Sequence, residues 1–254
     1  REFKVKPAFQ GMYGFPYGLC CSVNEVIVHG FPSEDVILKE GDIVSFDVGT
    51  VYEGFYGDAA RTFAVGDVSP EAARLLRVTE ESLALAVAEA RSGNELNDIA
   101  GAVQKHAEGA GFHVVRRFVG HGIGSTLHEK PEVPNYVVTT KPALPLKTGM
   151  VLCIEPMITV GTPEVEILDD KWSAVTRDRS LAAHFEHCVA ILPGGPQILD
   201  LDSLDGLDGG LGDQMHAMAP QPGQGLQSVE QGGGGAAHQL GGLAGEDLAV
   251  HQRL

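Results

Sequence analysis

The chain has 254 residues, a formal net charge of −16 and 43% hydrophobic residues, which is enough for one large domain or two small ones. So acidic a balance argues against nucleic-acid binding, which needs basic patches to neutralise phosphate, and favours neutral or cationic partners. No apolar run approaches bilayer-spanning length, and the opening Arg1-Glu-Phe-Lys-Val-Lys6 lacks the apolar segment of a signal peptide, so no membrane association is expected.

Val23–Val28 reads as a strand. Asp42–Thr50 and Gly57–Val65 read as two more, joined by a turn through Glu53-Gly54. Ser69-Pro70-Glu71 is a helix start, with Ser as cap and Pro in the first turn. That helix reaches about Ala90 and offers Leu75, Leu76, Leu83 and Val87 to a core. Gly93 breaks it. A second helix from Glu95 to Ala107 places Leu96, Ile99 and Val103 on one stripe. Strands are expected at Phe112–Val119, Val133–Val138, Met150–Val160, Val165–Leu168 and Phe185–Ile191. Short connections and Gly/Pro turns give an α/β or α+β fold with largely antiparallel hairpins. Past Asp200 the composition shifts to Gly, Gln, Ala and Pro without aromatics. Roughly a quarter of residues 201–254 are Gly, the signature of a low-complexity, disordered tail. A partner-binding tail is the alternative. The expected division is a catalytic domain over 1–200, N-terminally incomplete, and that tail.

Acidic residues inside apolar runs carry the chemistry. Asp47 lies in Gly41-Asp-Ile-Val-Ser-Phe-Asp47, and Asp58 ends Gly54-Phe-Tyr-Gly-Asp58. Glu155 interrupts Met150-Val-Leu-Cys-Ile-Glu-Pro-Met157, and Glu186 opens Glu186-His-Cys-Val-Ala-Ile-Leu192. A carboxylate buried in a strand is costly without compensation. Two carboxylates side by side repel, and a divalent cation removes both penalties. His121 is flanked by glycines in Gly120-His-Gly-Ile-Gly124, which let the backbone approach a site closely. Taken singly, each aspartate reads equally as a turn cap, and His121 as a hydrogen-bonded loop residue. Together, four carboxylates and one imidazole form a hard, oxygen-rich set suited to Mn, Fe or Co, with Zn possible. His184-Phe-Glu-His187 is not H-E-x-x-H, so a helical zinc-protease site is not expected. Cys20, Cys21, Cys153 and Cys188 lack CxxC spacing. They read as free thiols of a protein in a reducing cytoplasm.

These motifs, with Cys20-Cys-Ser-Val-Asn-Glu-Val-Ile-Val-His-Gly30, His128-Glu-Lys-Pro131, and Trp172 through Glu186-His187, resemble type I methionine aminopeptidase over residues 10–200. The resemblance implies the α+β pita-bread fold: pseudo-twofold halves around a curved antiparallel sheet, with helices on its outer face. It implies that Asp47 chelates one of two divalent metal ions, that His121 and Glu155 hold the other, and that Asp58 and Glu186 bridge them. Glu155 would also handle the proton of the attacking water. His128 would bond the scissile carbonyl oxygen, and His29 would contact the residue after the cleaved bond. Phe15, Cys20 and Trp172 would wall a Met-sized pocket, although for Trp172 core packing is the alternative. The implied substrates are nascent polypeptide N-termini with a small second residue, met at the ribosome by a cytoplasmic monomer. The resemblance also leads one to expect helices ahead of Arg1, an aromatic residue where Met12 and Leu127 stand, and a Gln where His184 stands. An X-Pro peptidase of the same fold, or a non-catalytic binding protein on it, are the competing functions.

Overall fold

The structure, a computed structural model, describes residues 4–200. The expected tail over 201–254 lies outside the described residues. In chain order the first strands are β1 (Lys6–Pro7), β2 (Cys20–Val23), β3 (Val26–Val28), β4 (Ile43–Tyr52) and β5 (Phe55–Ala64). Two helices follow, α1 (Pro70–Glu89) and α2 (Leu96–Gly109). Then come β6 (His113–Val114), β7 (Gly120–Gly122), β8 (Glu129–Val133), β9 (Val151–Ile154) and β10 (Met157–Thr159). The remaining strands are β11 (Val165–Ile167), β12 (Ala174–Thr176), β13 (Ala182–His184), β14 (His187–Leu192) and β15 (Gly195–Ile198). Every described strand pairing is antiparallel.

The helices form where their caps predict. Ser69 Oγ accepts the Ala72 N–H at 3.1 Å, and Glu95 and Asp98 make a reciprocal capping box. Leu75, Leu83, Ile99 and Val103 are buried in one core cluster with Leu152, Ile154 and Ile158. Each such aliphatic side chain contributes about 1.5–3 kcal/mol by leaving water. Leu76 and Leu96 are only partly buried at its edge. The β4–β5 hairpin turns at Glu53 and Gly54, both with positive φ (49° and 88°), as a two-residue hairpin loop requires.

The sheets depart from the sequence reading where expected strands are cut. Val23–Val28 holds only the end of β2 and the whole of β3, because Asn24 turns with φ 52°. Its amide donates to Asp42 Oδ1 at 2.9 Å and accepts from the Ile43 N–H at 3.0 Å, an alternative to continuing the ladder. Phe112–Val119 keeps only His113–Val114 as strand, and Val133–Val138 is replaced by a strand ending at Val133. Asn97 and Gln104 of α2 bond the backbone of Val138 and Val137 instead. Met150–Val160 breaks at Glu155-Pro156, and Phe185–Ile191 gives way to strands on either side of Phe185-Glu186. Strands β1, β7, β12, β13 and β15 lie outside every expected strand.

The last two breaks matter most. On one side β9 pairs β14, with Ile154 opposite His187. On the other β10 pairs β13, with Met157 opposite His184. The same two chain segments therefore stay partners while passing from one sheet to another. Pro156 has no N–H to extend the ladder. Its carbonyl accepts the Phe185 N–H, and the Glu186 N–H turns to Ala60 O of β5 at 2.8 Å.

Candidate metal centre

Asp47 on β4 and Asp58 on β5 point to the same side of their hairpin, where Asp47 is opposite Ala60 and Gly49 opposite Asp58. The contact between Glu186 and Ala60 brings the third carboxylate alongside. Ligand atoms of Asp47, Asp58 and Glu186 all lie within 4.8 Å of one another. Across the sheet break, His121 Nε2 is 3.6 Å from Glu155 Oε1 and 4.0 Å from Asp58 Oδ2. A second group, His121, Cys153 and Glu186, also falls within 4.8 Å, so Glu186 is common to both.

His121 is prepared to ligate. Its Nδ1 lies 2.9 Å from the Gly122 carbonyl. A carbonyl can only accept, so the ring proton is on Nδ1 and Nε2 turns a lone pair toward the carboxylates. The flanking glycines have a steric cause. A Cβ on Gly120 would sit 2.2 Å from the Cys153 carbonyl oxygen, and one on Gly122 would sit 2.5 Å from that of Lys130.

The electrostatics are those of carboxyls crowded together away from water, each made reluctant to ionise. Burial drives the Asp47 carboxyl up to about 7. Burial, and then the neighbouring carboxylates, hold Asp58, Glu155 and Glu186 well above the usual range. Oδ1 of Asp47, Oδ1 of Asp58 and Oε1 of Glu186 are buried and make no hydrogen bond among the described residues. Buried oxygens converging in this way are what a divalent cation satisfies, and oxygen with imidazole is a fitting donor set for one.

The other predicted residues surround this centre. The His128 ring packs edge-on against His121 with centroids 4.5 Å apart. Burial lowers His128 to about 4, and His29 to about 3, so both rings are neutral donors or acceptors. His29 has φ 61° and stacks edge-on against Phe118 at 5.1 Å. Cys20 is buried opposite Asp47. Phe15 and Trp172 meet edge-to-face at 5.1 Å, in the same apolar cluster as Cys20 and Leu127. Asp170 presents Trp172 by accepting the N–H groups of Trp172 and Ser173 at 2.8 and 2.9 Å.

Three contributors escape the sequence reading. Cys188 Sγ contacts both backbone groups of Asp58, and Cys153 Sγ is 3.3 Å from Cys188 Sγ. Buried Asn135 donates from Nδ2 to the Glu155 carbonyl at 2.9 Å. A polar Asn within Val133-Pro-Asn-Tyr-Val137 is the one signal that could have found it.

Residues 2–193 match metallopeptidase family M24. The methionine aminopeptidase of Clostridium acetobutylicum is 50% identical over 79% of this chain and 80% of its own length. Among solved structures, the methionine aminopeptidase of Thermotoga maritima superimposes with a TM-score of 0.75 at 47% identity, covering 77% of this chain and 78% of that one. The Rickettsia prowazekii methionine aminopeptidase gives 0.74 at 40%, covering 78% and 79%. With its antiparallel sheets, two described helices and convergent acidic centre, the chain belongs to metallopeptidase family M24, in the type I methionine aminopeptidase branch with its pita-bread fold.

Proposed function

We propose that the chain is a methionyl aminopeptidase that removes the initiator methionine from nascent proteins and peptides with a small second residue. One observation carries the reading: carboxylates from the β4–β5 hairpin and from the break shared by two sheets converge near the Nε2 lone pair of His121. Asp47, Asp58 and Glu186 would hold one divalent cation; His121 and Glu155, with Asp58 and Glu186 shared, would hold the other. When bound, two such cations supply Lewis acidity that activates water and polarises the scissile carbonyl.

The remaining work falls to side chains. Glu155 takes the proton from the attacking water and returns it to the departing amine, a task suited to a carboxyl whose proton affinity burial has raised. His128, neutral because it is buried, donates to the carbonyl oxygen as negative charge grows there. His29 contacts the second residue, and crowding at that point restricts it to small side chains. Phe15, Cys20 and Trp172 line the methionine pocket. The catalytic domain is residues 1–200, with 201–254 as an appended tail.

Among the described residues no helix is long and apolar enough to cross a membrane. We assign the protein to the cytoplasm as a monomer meeting nascent chains at the ribosome, without binding nucleic acid directly. The net charge of −16 supports the last point.

The test is hydrolysis of Met-Ala-Ser by metal-free protein after adding Mn, Fe, Co or Zn. Release of methionine is expected. Activity confined to X-Pro peptides would replace the reading with an X-Pro peptidase. Absence of bound metal, with Asp58→Asn behaving as wild type, would favour a binding role.

A further inference from the structure

Glu155 lies between two imidazoles. Its Oε1 is 3.6 Å from His121 Nε2, and its Oε2 is 3.7 Å from His184 Nε2. His121 is accounted for by its place in the cluster, whereas His184 is not. It is 2% exposed, and its Nε2 makes no hydrogen bond among the described residues. A buried nitrogen without a partner is costly, so its persistence needs a reason.

The backbone of His184 is fixed by one hydroxyl. Thr62 Oγ1 accepts the His184 N–H at 2.9 Å and donates to the His184 carbonyl at 2.8 Å. Because that donation uses the single Thr62 proton, Ser45 is the donor in the 2.8 Å Ser45–Thr62 contact. On the other side, His184 is paired with Met157, two residues beyond Glu155. The His184 backbone is thus held from β5 and β10 together, at the place where the chain changes sheet. The resemblance noted above puts a glutamine here. Its terminal amide is an N–H donor at a similar reach from the backbone, so donor chemistry is the shared property.

We propose that His184 is a positioning residue for Glu155. Its Nε2–H holds Oε2, which turns Oε1 toward His121 and the cation position and orients the carboxyl for proton transfer. At 3.7 Å the separation exceeds the outer end of hydrogen-bond length by about 0.5 Å. Such contacts commonly tighten once the reacting groups are in place. This inference rests on the reading of Glu155 as ligand and proton carrier.

Wild-type, His184→Gln and His184→Leu proteins are compared by Mn²⁺ binding isotherms, steady-state hydrolysis of Met-Ala-Ser and thermal melts. The Leu variant is expected to lose about 10–100-fold in kcat and in Mn²⁺ affinity, the usual effect of removing a partner that orients a ligand, with KM little changed. The Gln variant is expected to recover most of both losses. Equal losses in the two variants, or an unaffected Leu variant, overturn the proposal. Should the Leu variant not fold, ¹⁵N spectra of the Zn-loaded wild type decide. A pyrrole-type Nε2 on His184 supports the role, and an unprotonated Nε2 excludes it. If wild-type protein releases no methionine with any metal, the peptidase reading is what fails, and the isotherms and spectra still judge His184.

Discussion

Cys188 Sγ closes on both backbone groups of Asp58: the Asp58 N–H reaches the sulfur at 3.3 Å, and the thiol donates to the Asp58 carbonyl at 3.1 Å. A small side chain 130 positions away thereby sets where a metal-facing carboxylate stands. Cys188→Ala removes donor and acceptor together and leaves a small void. A loss of about 1–3 kcal/mol is expected in urea unfolding, with weaker Mn²⁺ binding by calorimetry. Cys188→Thr, which keeps a donor, should lose less of both. Equal behaviour of the two variants would show that the contact is incidental.

The buried carboxyls make the metal-free protein sensitive to alkali. A carboxyl with a folded-state pKa above its unfolded value contributes stability below the unfolded pKa and loses it as pH rises through the folded one. Asp47, lifted to about 7, and the likewise raised Asp58, Glu155 and Glu186 therefore work against the fold as pH increases. His29, His128 and His184 are lowered by burial, so their contribution is present above the ordinary imidazole range and fades only below it. From about pH 7.5 upward the histidines are nearly constant, since unfolded imidazoles are then largely neutral, and the carboxyl effect dominates. In EDTA, Tm should fall between roughly pH 7.5 and 8.5. Saturating Mn²⁺ should raise Tm and flatten that slope. A Tm in EDTA that is level or rising over this range would contradict the charge state assigned to the cluster.

Phe15 and Trp172 separate pocket from core. Phe15 is 1% exposed and meets Phe9, Tyr17, Phe31 and Trp172 edge-on. Phe15→Ala should cost about 3–5 kcal/mol in stability. Trp172 is only partly buried. Trp172→Ala should lower Tm less and act mainly by raising KM for Met-Ala-Ser. A large Tm drop with unchanged KM would assign Trp172 to packing alone.

Gly120→Ala tests the close approach beside His121. The added Cβ would meet the Cys153 carbonyl at 2.2 Å, and a backbone atom cannot swing away. Destabilisation of about 1–3 kcal/mol is expected, with Mn²⁺ affinity reduced because His121 shifts. Gly149→Ala is a contrasting case: no atom lies within 4 Å of its added Cβ, but φ is +93°. Its cost should come from backbone strain without loss of metal affinity.

The local signals in the sequence were sufficient for the helices and the β4–β5 hairpin. Ser69-Pro70 and Glu95 mark helix starts, and Glu53-Gly54 supplies the positive φ values a tight hairpin needs. Acidic residues in apolar runs point to a cluster because an isolated buried carboxylate is so costly. What periodicity does not reveal is where a long apolar run leaves one sheet for another. Met150–Val160 reads as one continuous apolar strand, and only Glu155-Pro156 hints at the cut. Nor do the roles of Cys188, Asn135 and Thr62 show locally. Each depends on partners far away in the chain, and a buried thiol, amide or hydroxyl has the same local appearance whether or not it faces a site.

Glu155 and Glu186 stand where two neighbouring strands trade sheets together. Filling the centre therefore does more than complete a catalyst: it rivets the seam between two separately hydrogen-bonded layers. Amide exchange should register this as a joint change, with Val151–Ile154 and Met157–Thr159 gaining protection together upon Mn²⁺ loading while the far ends of α1 and α2 keep their original rates.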